Sequence, residues 1–572
     1  MKIIRYIFVA LAIYLVLGVI AGIALETLTR GPDLEVTDGS VIELTISADY
    51  GETASPSLSA LLSGQQSLPH FSVLNTIHRA TNDPRIIGLK LVIQAPALGF
   101  AQLQELNEAL QAFHAAGKWS HSFVETAGEL GSGTMSYLLA SMAQTVSVSP
   151  PGDVNFIPLA NTQLFFKDAL DNLDIDVKVY QRKEFKSAGE FLSRNDMSPS
   201  AKEALKALLD DIQSDIIGMV ATNRSVDPSV VREWLERPVN GSVEALERGL
   251  IDTRSYEDEV ESAVEEKLGP SGTMIAFGDY ARDGYRFSGD TKLALIIAEG
   301  EITRGEAAPS LTGDESGIAS ASYQRAFRQA REDKVAAVLL RVNSPGGSYI
   351  GSDLIRREVE LTEKSGIPVI VSMGNLAASG GYFVSFDASK IFANSGTLTG
   401  SIGVIMTSLS FRRMLENRLG IGIDGYRTFE SAKIFDPLAE SEEREEYLNT
   451  SIDRIYADFI SKAAAGRDME VKEFEALAKG RVWTGRAAKE RNLIDAIGGY
   501  EAAIQETLAR AGATEETASF YEYPRPETPL EQFLISLQNV EMSVSAITNL
   551  VRAVTLSTSQ EAKVRMPPIS ID

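Results

Sequence analysis

Two stretches of small residues carry the chemistry that is easiest to read, NSPGGS (343–348) and NLAASGGYFVS (375–385). Each follows an apolar, strand-like run. In the first, Pro345-Gly346-Gly347 makes a turn whose glycines allow backbone N–H groups to approach a ligand closely. In the second, Ser379 precedes Gly380-Gly381 at the start of a helix-like segment, Tyr382–Phe386. A serine there is a candidate nucleophile, and the Gly380 N–H could join the first loop in holding an oxyanion. Taken alone, a glycine-flanked serine is more often a turn or a cap.

Such a serine needs a base. The four histidines (His70, His78, His114 and His121) all lie in the first half of the chain and lack metal-ligand spacing. A Ser-His-Asp site would have to borrow one of them across the molecule. Lys186 is the other candidate. It can deprotonate a serine only as the neutral amine, so burial must lower its pKa, and Phe185, Ala188 and Phe191 could supply an apolar pocket. In so charged a stretch a lone lysine is ordinarily a solvated side chain.

The elements that would position these residues are organised as a repeat. Arg85–Leu98 matches Lys334–Gly347, Ser136-Tyr137 matches Gly381-Tyr382, Glu184–Ala188 matches Thr428–Ala432, and Gly249–Asp252 matches Asn492–Asp495. Four matches in one order at a nearly constant offset indicate a duplicated domain. The copies have diverged in complementary ways. Ala97, Leu98 and Thr134 stand in the first where the second has the glycine loop and Ser379, whereas Glu430 stands in the second where the first has Lys186. One copy would keep the nucleophile, the other would supply the base, and a working site would form where they meet.

In each copy apolar runs alternate with helix-like stretches, which predicts α/β domains with largely parallel sheets. The division expected is an N-terminal segment 1–30, a first repeat 31–267, a linker 268–290, a second repeat 291–520 and a helical C-terminal tail 521–572. The net charge, −24, argues against a nucleic-acid binder, and the absence of cysteine excludes a thiol nucleophile or disulfide framework. No P-loop, HExxH or calcium-loop motif calls for a metal or cofactor. Gly420–Gly425 matches GxGxxG in the wrong structural context and reads as a turn. Lys2 and Arg5 precede the uncharged run Tyr6–Leu25, long enough for a membrane-spanning helix with the body across the membrane. A cleaved signal peptide is the competing reading.

RVNSPGGS (341–348), SMGNLAASGGY (372–382), TLTGSIGV (397–404), VWTGRAAKERNLID (482–495) and YQRKEFKSAGEFLSRNDMSP (180–199) together resemble the signal peptide peptidase A (protease IV) family in its long, tandem-domain form. The resemblance implies a Ser-Lys dyad of Ser379 and Lys186, with Ser401 orienting the lysine and Gly347 and Gly380 forming the oxyanion hole. It further implies a Clp protease/crotonase type of fold and no cofactor. The family member would be a homotetramer, anchored in the inner membrane and facing the periplasm, that degrades cleaved signal peptides and other apolar peptides. Two other readings stand beside it, a crotonase-type acyl-CoA enzyme and a non-catalytic membrane-anchored scaffold.

Overall fold

Alternation of apolar runs with amphipathic stretches becomes, in a computed structural model of the chain, two parallel sheets wrapped by helices. The structure describes residues 35–48, 50–53, 69–306, 317–436, 438, 441–525 and 563–565. The first repeat contributes β1 (Ser40–Ile46), β2 (Ile86–Ile93), β3 (Trp119–Val124), β4 (Thr145–Val148), β5 (Asp176–Arg182), β6 (Thr253–Arg254) and β7 (Met274–Ala276). All except β5 form one parallel sheet in the order β6-β4-β3-β2-β1-β7.

The second repeat opens with β8 (Thr291–Glu299), β9 (Ile302–Thr303), β10 (Ile318–Ala319), β11 (Ala337–Ser344), β12 (Gly346–Ser348) and β13 (Val369–Ala378). It continues through β14 (Lys390–Ala393), β15 (Leu398–Gly400), β16 (Val404–Ser410), β17 (Val482–Thr484), β18 (Ala496–Ile497) and β19 (Ala518–Tyr523). Its main sheet runs β17-β15-β13-β11-β8-β19, with β14 and β18 continuing beside β13. A third sheet, β10-β9-β12-β20-β16-β5, joins strands of both repeats, β20 being Lys563–Arg565.

The duplication survives at the level of single hydrogen bonds. Tyr137 Oη donates to the Leu250 carbonyl at 2.8 Å, and Tyr382 Oη donates to the Leu493 carbonyl at 2.9 Å. Asp252 accepts from the Val146 N–H at 2.8 Å, and Asp495 accepts from the Ile391 N–H at 2.7 Å. These are the same tyrosine and the same aspartate that mark the repeat in the sequence.

Alternation along β8 shows how the repeats are joined. Leu293, Leu295 and Ile297 belong to an apolar core shared with the first repeat, while Ala294, Ile296 and Ala298 face a second core. Both faces of the sheet are covered, which is why its strands read as continuous apolar runs. The interruption in β11, Arg341, is fully buried at the junction. It donates to Glu52 at 2.8 Å and 3.1 Å and to Glu105 at 2.8 Å and 2.9 Å, and its guanidinium lies 4.1 Å over the Tyr500 ring. Burial pushes the Glu105 pKa up, but the Arg341 charge and the His70 contact outweigh it and hold the group at about 2.

Two expected boundaries shift. The stretch 268–290 is not a bare linker, because Met274–Ala276 forms β7 beside β1 and Phe277–Arg282 is a helix whose Phe277 and Tyr280 are buried. Nor does a tail begin at 521, since β19 runs to Tyr523 and pairs with β8. No helix among the described residues is long and apolar enough to cross a membrane. The run Tyr6–Leu25 and the C-terminal stripe expected over 533–551 lie outside the described residues.

Candidate active site

Strand pairing between the repeats brings the lysine to the serine. β5 runs antiparallel to β16, from Asp176 opposite Ser410 to Arg182 opposite Val404. Lys186 lies just beyond the end of β5, and Ser401 just before the start of β16, so the pairing sets the two side by side. Ser379 caps the end of β13, and its N–H donates to the Gly400 carbonyl at 2.7 Å. The Lys186 amine comes to rest 2.9 Å from Ser379 Oγ, 2.8 Å from the Ser401 carbonyl and 3.0 Å from Ser401 Oγ. All three residues are fully buried.

Burial drives the Lys186 pKa well below its ordinary 10.5, and no neighbouring carboxylate opposes the shift. A neutral amine has two N–H groups and one lone pair. At these distances the N–H groups can be donated to the Ser401 carbonyl and hydroxyl, leaving the lone pair for the Ser379 O–H. The site can therefore draw a proton from the serine without a histidine. His70 bonds Glu105, His78 pairs with Glu515, His114 meets Ser120 and His121 meets Ser147, so the histidines are engaged elsewhere.

The lysine's surroundings differ from those expected. Phe185 lies under the Arg481 guanidinium, 4.8 Å from it, and Phe191 packs on Phe166. Two glycines that sequence reasoning missed press on the lysine instead. A Cβ on Gly403 would sit 3.2 Å from Lys186 Cδ, and one on Gly480 would sit 2.5 Å from Lys186 Cβ. The 479–481 turn is tied down from both sides. Phe185 N–H donates to the Lys479 carbonyl at 3.2 Å, Gly480 N–H to Ile402 at 2.8 Å and Ser401 N–H to Arg481 at 2.7 Å. In the sequence Gly480 follows a helical run and reads only as its terminator.

Backbone geometry at the serines is unusual. Ser379 has φ +56° and Ser401 φ +52°. Non-glycine residues held there cost roughly 1–3 kcal/mol and persist where the surroundings dictate them. The helix after Ser379, Gly380–Phe383, is a single turn, so any electrostatic help comes from its first N–H groups rather than from a long macrodipole.

Gly380 packs backbone against backbone with the other loop. A Cβ on it would lie 3.0 Å from Gly346 Cα, 3.1 Å from Gly347 N and 2.6 Å from Ser352 Oγ. Gly347 itself has φ +152° and leaves only 2.1 Å between a Cβ and the Ile302 carbonyl oxygen. The turn is fixed by Ser344, which accepts from Gly346 N–H at 3.1 Å and donates to the Gly300 carbonyl at 2.6 Å. The counterparts in the other copy are not equipped for this. Thr134 Oγ1 donates to the Ile157 carbonyl at 2.7 Å, and the Glu430 side chain is 80% exposed.

A serine hydroxyl beside a buried amine, with glycine backbone packed around it, is the equipment of a hydrolase that works through an activated hydroxyl. The chain matches the description Peptidase family S49 over residues 125–270 and 362–514. Protease 4 of Salmonella typhi is 32% identical over 467 residues, covering 79% of this chain and 74% of the relative. The chloroplastic serine protease SPPA of Arabidopsis thaliana is 30% identical over 88% of this chain and 74% of its own length. A putative signal peptide peptidase SppA of Enterococcus faecium is 36% identical over 34% of this chain and 57% of that protein. The chain belongs to peptidase family S49 and is a serine protease. That membership displaces the acyl-CoA and scaffold readings.

Proposed function

We propose that Ser379 is the nucleophile and Lys186 the general base of a Ser-Lys dyad built from both repeats. The observation that carries this is the 2.9 Å contact between Lys186 Nζ and Ser379 Oγ at a position where the amine is held neutral. Lys186 takes the hydroxyl proton as Oγ attacks the peptide carbonyl. The N–H groups of Gly347 and Gly380 receive the oxyanion. Lys186 then passes its proton to the leaving amine, and a water molecule, deprotonated by the same lysine, releases the acyl group from Ser379. Ser401 holds the lysine by its two contacts throughout.

The substrates are apolar peptides, cleaved signal peptides among them. Support for that comes from the name of the Enterococcus relative and from the exported body that Tyr6–Leu25 implies. In this reading residues 1–30 anchor the enzyme in the inner membrane and the body faces the periplasm. The fold is of the Clp protease/crotonase kind, and four chains assemble as a homotetramer. Exposed Phe411, Leu419, Tyr426, Phe429 and Phe435, all within one stretch, favour self-association.

Hydrolysis of a fluorogenic apolar peptide by the full chain in detergent tests the dyad. Ser379→Ala and Lys186→Ala should each lose at least about a thousandfold in kcat while keeping the wild-type circular dichroism. An active Lys186→Ala enzyme would overturn the base assignment. A serine-directed acylating probe that labels the wild type at any residue other than Ser379 would overturn the nucleophile.

A further inference from the structure

One strand beside the dyad comes from a distant part of the chain. β20, Lys563–Arg565, lies between β12 and β16 in the third sheet. It runs antiparallel to β12, with Arg565 opposite Gly346, Val564 opposite Gly347 and Lys563 opposite Ser348. Towards β16 it is also antiparallel, with Lys563 opposite Ile405. Its neighbours are thus the glycine loop next to Gly380 and the strand that begins just after Ser401. The chain reaches this place from Arg525 through residues 526–562.

Without β20, β12 and β16 would each present an edge of unpaired N–H and C=O groups towards one lane. An extended peptide fills such a lane by strand addition, whatever its side chains. A peptide lying along Gly346–Ser348 is also placed to bring a carbonyl to the Gly347 and Gly380 donors. Three residues make a weak strand. Pro567 and Pro568, which have no N–H to give, follow closely and bar the ladder from extending that way.

We infer that the chain's own C-terminal segment, centred on Val564, occupies the lane through which an extended peptide reaches Ser379, and so holds the intact enzyme in check. The inference rests on the proposed role of Ser379 for its effect on activity, but occupancy of the lane does not depend on it. Tethering makes a weak strand effective. A flexible link gives a local concentration on the order of 1 mM, so a segment with a Kd of about 0.2 mM raises the apparent KM about sixfold.

The test uses the full chain, a Val564→Pro variant and a chain ending at Gln560. Val564→Pro removes a ladder donor from the segment alone and touches no residue of the dyad. Both altered chains should show KM lowered about sixfold for a fluorogenic apolar peptide, with kcat unchanged. Occupancy is read separately by fluorescence anisotropy of a labelled peptide of residues 559–572. It should bind a Ser379→Ala chain ending at Gln560 at least about fivefold more tightly than it binds full-length Ser379→Ala. Equal binding to both overturns the inference even if hydrolysis by the dyad is as proposed. Conversely, hydrolysis that survives Ser379→Ala would overturn the dyad while the binding contrast still decides the tail. Loss of C-terminal mass from the wild-type chain on standing would make the segment a substrate and overturn it as a standing inhibitor.

Discussion

Gly480 lies so close to Lys186 that a Cβ on it would come within 2.5 Å of the lysine Cβ and 2.6 Å of its backbone nitrogen. A residue of the second repeat thereby seals the amine supplied by the first. The glycine also sits at φ +79°, where any side chain costs about 1–2 kcal/mol. Gly480→Ala should lower kcat at least about tenfold, because the lysine must move. Gly366 has φ +85° with nothing within 4 Å of a Cβ, so Gly366→Ala should show the backbone cost alone and full activity. Steady-state kinetics and thermal unfolding of the two variants separate crowding of the lysine from backbone strain.

The dyad dictates a direction of pH dependence. Only neutral Lys186 accepts the Ser379 proton, and its pKa is lowered by burial. The rate constant kcat/KM should therefore climb as pH rises through that lowered pKa and level off before 10.5. Profiles for the wild type and for residual Lys186→Ala activity check this. The alkaline climb should vanish in the variant, and EDTA should leave both profiles unchanged.

Stability follows the same proton with a definite sign. Folded Lys186 binds fewer protons than unfolded Lys186 between its lowered pKa and 10.5, so stability rises with pH through that window. Lys186→Met removes the cost of burying an amine. It should be more stable than the wild type at neutral pH, and the gap should shrink with rising pH until it is constant above 10.5. Urea unfolding at neutral and alkaline pH measures the gap. A gap independent of pH would contradict the burial described for the amine.

Arg341 is the third target. Its removal leaves the carboxylates of Glu52 and Glu105 buried without their cation. Arg341→Met should cost about 3–5 kcal/mol in denaturant unfolding. Adding Glu52→Gln and Glu105→Gln should recover part of that loss, since neutral amides are less costly to bury than unpaired charges.

Much of this was legible before any coordinates, for reasons visible at particular residues. Buried parallel strands such as Ile86–Ile93 announce themselves by apolar content, and the structure places that strand as expected. Lys186 and Ser379 stood out because each is missing from the other copy. What could not be read depends on contacts between residues far apart in the chain. Glu52 and Arg341 look like surface charges until the fold pairs them. Met274–Ala276 is too short and too closely flanked by glycine to read as a strand, and it exists because β1 offers an edge. His70 is fully buried against Glu105, whereas His78, which fits the apolar pattern of its helix, is only partly covered.

The split between the copies also has a meaning in time. A ribosome delivers Lys186 long before it delivers Ser379, Ser401 or the Gly480 turn, and N-terminal domains ordinarily fold first. Until those later segments close over it, Lys186 stands in water, keeps its proton and can activate nothing. A growing chain is thus harmless to its neighbours and to itself throughout translation. Competence to cut peptides is acquired only when the second repeat docks on the first, so the join between the copies serves as the enzyme's safety catch.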